Sequence, residues 1–275
     1  MKKERVDVMA VQQGLFASRE QAKRAIMAGE LYDNNDERLD KPGEKIDATK
    51  ELHTKGKKMP YVSRGGFKLA KALKVFDIDL KDKIVLDIGA STGGFTDVAL
   101  QNGAKMSYAL DVGYNQLAWK LREDPRVEVM ERVNFRYSKL DDFKLGRPDF
   151  AMTDVSFISL HLILPPMKDI IKPGADAVAL IKPQFEAGPE NVGKHGIVRD
   201  PAVHKAVLTD IVDFSQSIGL DVLGLSYSPI KGGEGNIEFL IHLGNNGHEQ
   251  GVISPDVSVD GVMAAAYANL NKKQK

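Results

Sequence analysis

The 275-residue chain is 43% hydrophobic and 28% charged, which leaves room for one α/β domain of usual size plus a small appendage and excludes a disordered or fibrous protein. With no cysteine there is no disulfide, thiolate metal site or cysteine nucleophile, and the six histidines show no metal-ligand spacing, so no metal is expected. No apolar run reaches the ~18 residues of a membrane span, and Met1-Lys2-Lys3-Glu4-Arg5 lacks the apolar stretch of a signal peptide, so a cytoplasmic protein is expected.

The formal net charge of 0 conceals an asymmetry. Residues 1–74 carry 17 Lys+Arg against 11 Asp+Glu, leaving 21 against 27 for the remainder. A basic front on an acidic body is the footprint of a part that meets a polyanion, although a solvated charged face accounts for the same run.

Val6, Val8, Met9, Val11 and Leu15 lie at helical spacing, which predicts a helix over residues 4–14 stopped by Gly14. Ser18 is a good N-cap for a second helix with Ala22, Ala25, Ile26 and Ala28 on its apolar face, ended by Gly29. Lys23 and Arg24 fall on its other side, with Arg19 beside them. Strand-like pieces follow at Leu31-Tyr32, Arg38-Leu39 and Lys45-Ile46, and residues 50–60, including Lys55, Lys57 and Lys58, read as a linker.

From residue 61 strands and helices alternate, which predicts a mostly parallel sheet covered on both faces. The expected strands are 83–88, 106–111, 127–130, 149–154, 175–182, 221–227 and 236–243. The expected helices are 66–76, 94–102, 114–122, 160–171, 202–218 and 257–271. The fold class is α/β over residues 61–275, preceded by a small α+β unit over 1–60.

Asp87-Ile88-Gly89-Ala90-Ser91-Thr92-Gly93-Gly94-Phe95 carries an apolar strand into a glycine turn and then a helix. In open α/β sheets ligands sit at the carboxyl ends of the strands beside such a turn, so a nucleotide-like cofactor is expected against the backbone there. Asp111 ends the next strand, where a carboxylate can accept from both ribose hydroxyls. The plainer alternative is that the glycines only shape a turn and Asp111 caps the helix at 114. Gly89-x-x-x-Gly93-Gly94 is not the G-x-G-x-x-G of dinucleotide dehydrogenases, and no P-loop motif occurs. Asp87 suits a cofactor with a cationic amino-acid tail and would repel a pyrophosphate.

Four segments together resemble a known family: Ser63-Arg64-Gly65-Gly66-Phe67-Lys68-Leu69, the Asp87 to Phe95 turn, Thr153-Asp154-Val155-Ser156-Phe157, and Ile181-Lys182-Pro183-Gln184-Phe185-Glu186. Through them residues 61–243 resemble the FtsJ-type RNA ribose 2′-O-methyltransferases, whose domain is Rossmann-like. The whole chain resembles the TlyA family, often labelled haemolysin A. Residues 4–47, with Ser18-Arg19-Glu20-Gln21-Ala22-Lys23 and Gly29, resemble the S4 RNA-binding module, with Leu31-Tyr32-Asp33-Asn34-Asn35 in place of its usual V-x-V-N-G turn.

The resemblance implies S-adenosylmethionine as cofactor, ribosomal RNA as partner and cytidine 2′-O-methylation as the activity. It also implies a catalytic tetrad of Lys68, Asp154, Lys182 and Glu238. Cofactor contacts would come from Gly93 and Phe95 near the methionine part, Asp111 at the ribose and Asn134 near the adenine, where the family generally has aspartate, with Asp87, Gly89 and Gly94 of the turn as further cofactor-binding residues. RNA contacts would come from Arg19, Lys23, Arg24, Lys57, Lys58 and Arg64. Lys182 is expected nearest the 2′-hydroxyl, either as a neutral base or as a cation stabilising developing alkoxide. The glycine-rich loop 186–199 is either substrate-facing or an ordinary solvent loop. A membrane-active haemolysin and an RNA-binding scaffold without catalysis are the competing readings; the first has no spanning segment behind it, and the intact tetrad argues against the second.

Overall fold

A computed structural model describes residues 3–54 and 59–270, and the chain divides into two units, Met1–Met59 and Pro60–Lys275. Lys55, Lys57 and Lys58 lie outside the described residues.

The first unit runs β1 (Lys3–Arg5), α1 (Val6–Gln12), α2 (Arg19–Met27), β2 (Leu31–Asp33), β3 (Lys45–Asp47) and β4 (Leu52–Thr54). Ser18 caps α2 as expected, its Oγ accepting from Gln21 N at 3.3 Å. Val6, Met9, Ala10, Ala22, Ile26, Leu31, Leu39 and Leu52 form its core. Two elements differ from the sequence reading. Residues 3–5 are a strand rather than the start of the helix, because they pair antiparallel with β3. Part of the 50–60 linker is β4, paired antiparallel with β2 and seated by Leu52 at 6% exposure. A three-residue strand has no periodicity to read; its partner across the sheet creates it.

The second unit contains α3 (Gly66–Val75), β5 (Ile84–Ile88), α4 (Gly94–Gln101), β6 (Met106–Asp111), α5 (Trp119–Arg122), β7 (Val127–Glu131) and β8 (Phe150–Thr153). There follow α6 (Leu164–Ile170), β9 (Ala175–Ile181), α7 (Pro183–Glu186), α8 (Pro201–Ser217), β10 (Asp221–Tyr227), β11 (Phe239–Asn245) and α9 (Val259–Leu270). Seven strands form one sheet in the order β10-β11-β9-β8-β5-β6-β7. The five from β5 to β9 are parallel, whereas β11 runs antiparallel to both its neighbours.

Each face of the sheet has its own core. Leu86 and Ile88 of β5 belong to one, with Ile163, Met167, Leu208 and Phe239. Val85 belongs to the other, with Leu69, Phe95, Val98 and Leu240. Alternation along a strand places successive side chains on opposite faces, so the near-continuous apolar run Ile84-Val85-Leu86 is what a doubly covered strand requires. Fully burying one such Leu or Ile stabilises the fold by roughly 1.5–3 kcal/mol.

Chain order reverses at β5. From it the sheet grows through β6 and β7 on one side and returns through β8 and β9 on the other. The crevice between the carboxyl ends of β5 and β8 is therefore the topological switch point, the usual ligand position of this architecture. Three elements depart from expectation nearby. The helix at 114–122 shrinks to α5, because Asn115 adopts a left-handed φ of 57° in the preceding turn. The helix at 160–171 splits into a 3-10 turn, Leu160–Leu162, and α6, since Pro165 and Pro166 lack an N–H and suit only a helix's first turn. Finally, Glu238 stands one residue before β11 rather than inside it, with its carbonyl still accepting from Ser228 N at 2.8 Å.

Candidate active site

The glycine turn after β5 needs its glycines for two different reasons. Gly89 and Gly93 have φ of 84° and 93°, where an L side chain is strained. Gly94 has no such φ, but a Cβ there would stand 2.3 Å from Ser63 Oγ and 2.9 Å from Gly66 N. Ser63 and Gly65 are thereby held against the start of α4. The segment before α3 is tied down by Val62 N, which donates to Asp97 Oδ2 at 2.8 Å.

Asp87 lies under this turn, 1% exposed. Its Oδ2 accepts from Thr96 N at 2.9 Å and Thr96 Oγ1 at 2.7 Å, while its Oδ1 is buried with no hydrogen-bond partner. Burial pushes its carboxyl up to about 7 against the pull of the Thr96 bonds, with Asp154 and Asp111 adding to the rise. A carboxylate in this state lacks one cation or donor, and an ammonium group supplies both. Asp111 uses both oxygens to brace the crevice, Oδ2 accepting from Ser91 N at 2.8 Å and Oδ1 from Gly113 N at 2.7 Å. Each oxygen keeps a lone pair for a further donor, so bracing and ribose binding are compatible.

The four expected tetrad residues meet at the switch point. Lys182 Nζ is 2.5 Å from Asp154 Oδ1 and donates to Ser156 Oγ at 3.1 Å. Lys68 Nζ is 3.1 Å from Asp154 Oδ2 and 2.8 Å from Glu238 Oε2. Asp154 reaches the crevice because its N–H continues the ladder to Ile88 O at 3.2 Å. Glu238 reaches it because β11 is antiparallel: Phe239 pairs with Ile181, which sets the residue before β11 beside the residue after β9. The side chains of Lys68 and Lys182 are 9% and 8% exposed. Two ammonium groups against two carboxylates balance charge that neither pair could bury alone. Burial raises the Asp154 carboxyl, but Lys182 and Lys68 outweigh it and hold the group below the usual carboxylate range. For Lys68 burial lowers the pKa, and Asp154 and Glu238 overcome that and raise it.

Two adjoining cavities open here. A smaller one of about 380 Å³ is lined by Asp87, Gly89, Gly94, Phe95 and the tetrad. A larger one of about 1240 Å³ is lined by Asp111, Asn134, Val155 and the loop residues Gly188, Pro189 and Val192. Asn134 starts a 3-10 turn, its Oδ1 accepting from Arg136 N at 3.3 Å, which leaves its amide donors available. Gly93 lines neither cavity; a Cβ there would meet Leu121 and Leu117, so its position serves packing and turn shape. The loop 186–199 borders the larger cavity and is tethered, because Asn236 accepts from Val198 N and donates to Gly196 O.

Several wall residues had been given no role by the sequence, although five of them stand in the segments that carry the resemblance. Ser63, Ser156, Phe157, Gln184, Phe185 and Gly232 all line the smaller cavity. Phe157 is 90% exposed with a left-handed φ of 62°, and its ring is 5.0 Å from that of Phe185. Gly232 admits Glu238: a Cβ there would stand 2.0 Å from Glu238 Oε1. Lys231-Gly232-Gly233 just ahead of the final strand was the available signal. Of the expected RNA contacts, Arg19 is 2.9 Å from buried Asp7, Lys23 is 3.6 Å from Glu20, and Arg24 and Arg64 are exposed. Among the described residues no group of three or more His, Asp or Glu could hold a metal ion, and no helix is long and apolar enough to cross a membrane.

Comparison with known proteins follows the same outline. The FtsJ-like methyltransferase family matches residues 61–245. The chain is 60% identical over 274 residues to a Bacillus subtilis protein, YqxC, described as a candidate rRNA methyltransferase, covering 99% of this chain and 97% of that one. It is 41% identical over 245 residues to the 16S/23S rRNA (cytidine-2′-O)-methyltransferase TlyA of Mycobacterium tuberculosis, covering 87% of this chain and 89% of that one. A solved structure from Streptococcus thermophilus, described as a candidate hemolysin, is 56% identical with a TM-score of 0.79, covering 99% of this chain and 98% of that one. With its switch-point crevice, its glycine turn and this match, the chain belongs to the FtsJ-like methyltransferase family, among the TlyA relatives.

Proposed function

We propose that the protein transfers a methyl group from S-adenosylmethionine to the 2′-hydroxyl of a cytidine in ribosomal RNA. The observation that carries this reading is the Lys68, Asp154, Lys182 and Glu238 cluster in the wall of the cavity under the glycine turn, where Asp154 also borders an adjoining cavity large enough for more than a cofactor. The relative from Mycobacterium tuberculosis, whose name states that reaction, supplies the substrate.

The fit to the cofactor rests on Asp87. Its buried, partnerless Oδ1 has room in the adjoining cavity for a cationic amino group. Asp111 would hold the ribose and Asn134 the adenine edge, with Gly89, Gly94 and Phe95 forming the floor and Gly93 shaping the turn. Bound there, S-adenosylmethionine supplies an activated methyl group on a positively charged sulfur.

Among the described residues, Lys182 is the tetrad lysine whose nitrogen is shared with one carboxylate and one hydroxyl. In this reading it holds the attacking ribose oxygen and stabilises the negative charge that grows as the hydroxyl proton passes to solvent water. Asp154 orients Lys182, and Lys68 binds Asp154 to Glu238 so that both side chains are paired where they are buried. Positioning of this kind removes several kcal/mol from a barrier without any single strong acid or base. The N-terminal unit, with Arg19, Lys23 and Arg24, together with Lys57, Lys58 and Arg64, would hold the RNA backbone, and a ribosomal substrate places the work in the cytoplasm. Mapping 2′-O-methyl groups on ribosomal RNA from cells with and without the gene tests the reading. An identical map in both sinks it.

A further inference from the structure

The wall common to the two cavities contains a polar side chain that the tetrad leaves idle. Gln184, two residues after Lys182 on α7, lines both cavities. Its Oε1 is buried with no hydrogen-bond partner, and its amide nitrogen donates to no group among the described residues. Buried amides are ordinarily paired, and one left without a bond is costly. Two polar groups are engaged elsewhere: Ser156 Oγ accepts from Lys182, and Glu186 accepts from Ser159 Oγ at 2.5 Å and Leu160 N at 2.9 Å.

Resting on the proposed function, we infer that Gln184 is a specificity residue that hydrogen-bonds the polar edge of the target nucleobase. An amide offers an acceptor and a donor side by side. A carboxylate or phosphate would use the donor alone and leave Oε1 unpaired, whereas a base edge with adjacent donor and acceptor satisfies both ends. Cytosine has that pair in its 4-amino group and N3. Rotation about the last side-chain bond is soft, so either end of the amide can turn to the cavity. The Lys182 side chain is only 8% exposed, so a ribose oxygen must enter the crevice to meet it, and the base of the same nucleotide then enters beside the residue two positions along α7. The aliphatic stem of Gln184 serves the wall, and its amide serves the base.

The test is a cycle of two changes, one in the protein and one in the RNA. Full-length protein and its Gln184→Ala and Gln184→Leu variants are given ribosomal RNA carrying either cytidine or its analogue without the 4-amino group at the mapped position, and single-turnover methyl transfer is measured. The parent should lose on the order of 10-fold or more on the analogue, because a site built to bond a group rejects the molecule lacking it. Both variants should lose a similar factor on cytidine yet treat the two RNAs alike, with cofactor affinity unchanged. Penalties that simply multiply would overturn the inference, since they show that the amide and the amino group do not meet. A parent that methylates no ribose in either RNA would overturn the functional reading, and this inference with it.

Discussion

Asp154 Oδ1 lies 2.5 Å from Lys182 Nζ, and the other oxygen of the same carboxylate is held by Lys68. One buried carboxylate thus fixes two ammonium groups that reach it from α3 and from the end of β9, far apart in the sequence. Its replacement is expected to be more harmful than that of either lysine alone. Asp154→Ala leaves Lys68 with Glu238 as its carboxylate and Lys182 with the Ser156 hydroxyl in place of one, and stranding a buried charge typically costs ~3–5 kcal/mol. Thermal melting should report a large loss of stability together with the loss of activity. A fully stable Asp154→Ala protein would show that the lysines find other partners.

Lys182→Ala should separate chemistry from binding. Cofactor affinity measured by calorimetry should stay within a few-fold of the parent, while methyl transfer falls by at least ~100-fold, the scale of a positioned charge-stabilising or proton-transferring group. RNA with deoxyribose at the target position should be inert with the parent, because the 2′-hydroxyl is the proposed nucleophile. Methylation of that RNA would identify a base methyltransferase.

Asp87 makes stability depend on pH with a sign opposite to that of most carboxylates. Its carboxyl titrates near ~3.9 when unfolded and is raised to about 7 by burial when folded. The folded protein holds the proton more tightly, so this contribution is fully present below pH ~4 and is lost as pH rises to about 7. Asp87→Asn does not titrate. In cofactor-free protein, its melting temperature relative to the parent should rise between pH ~4 and about 7 and level off above. Parallel melting profiles would mean that Asp87 is ionised throughout.

Gly232→Ala tests the wall behind Glu238. The added Cβ would stand 2.0 Å from Oε1 and 2.5 Å from Cδ of a side chain only 3% exposed, and Glu238 must move off Lys68 to admit it. Backbone strain is absent, since the φ of Gly232 is −72°. Methyl transfer should fall by about an order of magnitude or more, as misplacing a positioned group does, while melting changes less than for Asp154→Ala. Unaltered turnover would show that Glu238 is not needed in its observed place.

The N-terminal unit should govern RNA affinity and its salt dependence. A chain beginning at Pro60 retains every residue lining the two cavities. It should bind S-adenosylmethionine like the full chain but methylate RNA poorly at physiological ionic strength. Removing phosphate-neutralising cations flattens the slope of log affinity against log salt. Equal RNA affinity and slope for the two chains would assign residues 1–59 to another task.

Much of the site was legible in the sequence because its parts are local. The strand, glycine turn and helix from Val85 to Phe95 declare themselves through a buried apolar run and through glycines that the backbone demands. Asp111, Asp154 and Lys182 sit where parallel strands end, but each alone reads equally well as a turn former or a surface residue, and only together, within segments that resemble the family, did they point to the crevice. Tertiary structure decided what those residues meet. Lys68 and Asp154 are 86 positions apart, and only the packing of α3 against α4 and β11 joins them. Glu238 arrives because β11 runs against the sheet, a reversal that an apolar run cannot announce, since a strand buried on both faces reads alike in either direction. The β4 strand, the space kept by Gly232 and the unpaired amide of Gln184 were invisible for the same physical reason. Each is a property of what stands opposite the residue, and contacts between distant parts of a chain are set by register and packing rather than by the composition of either part.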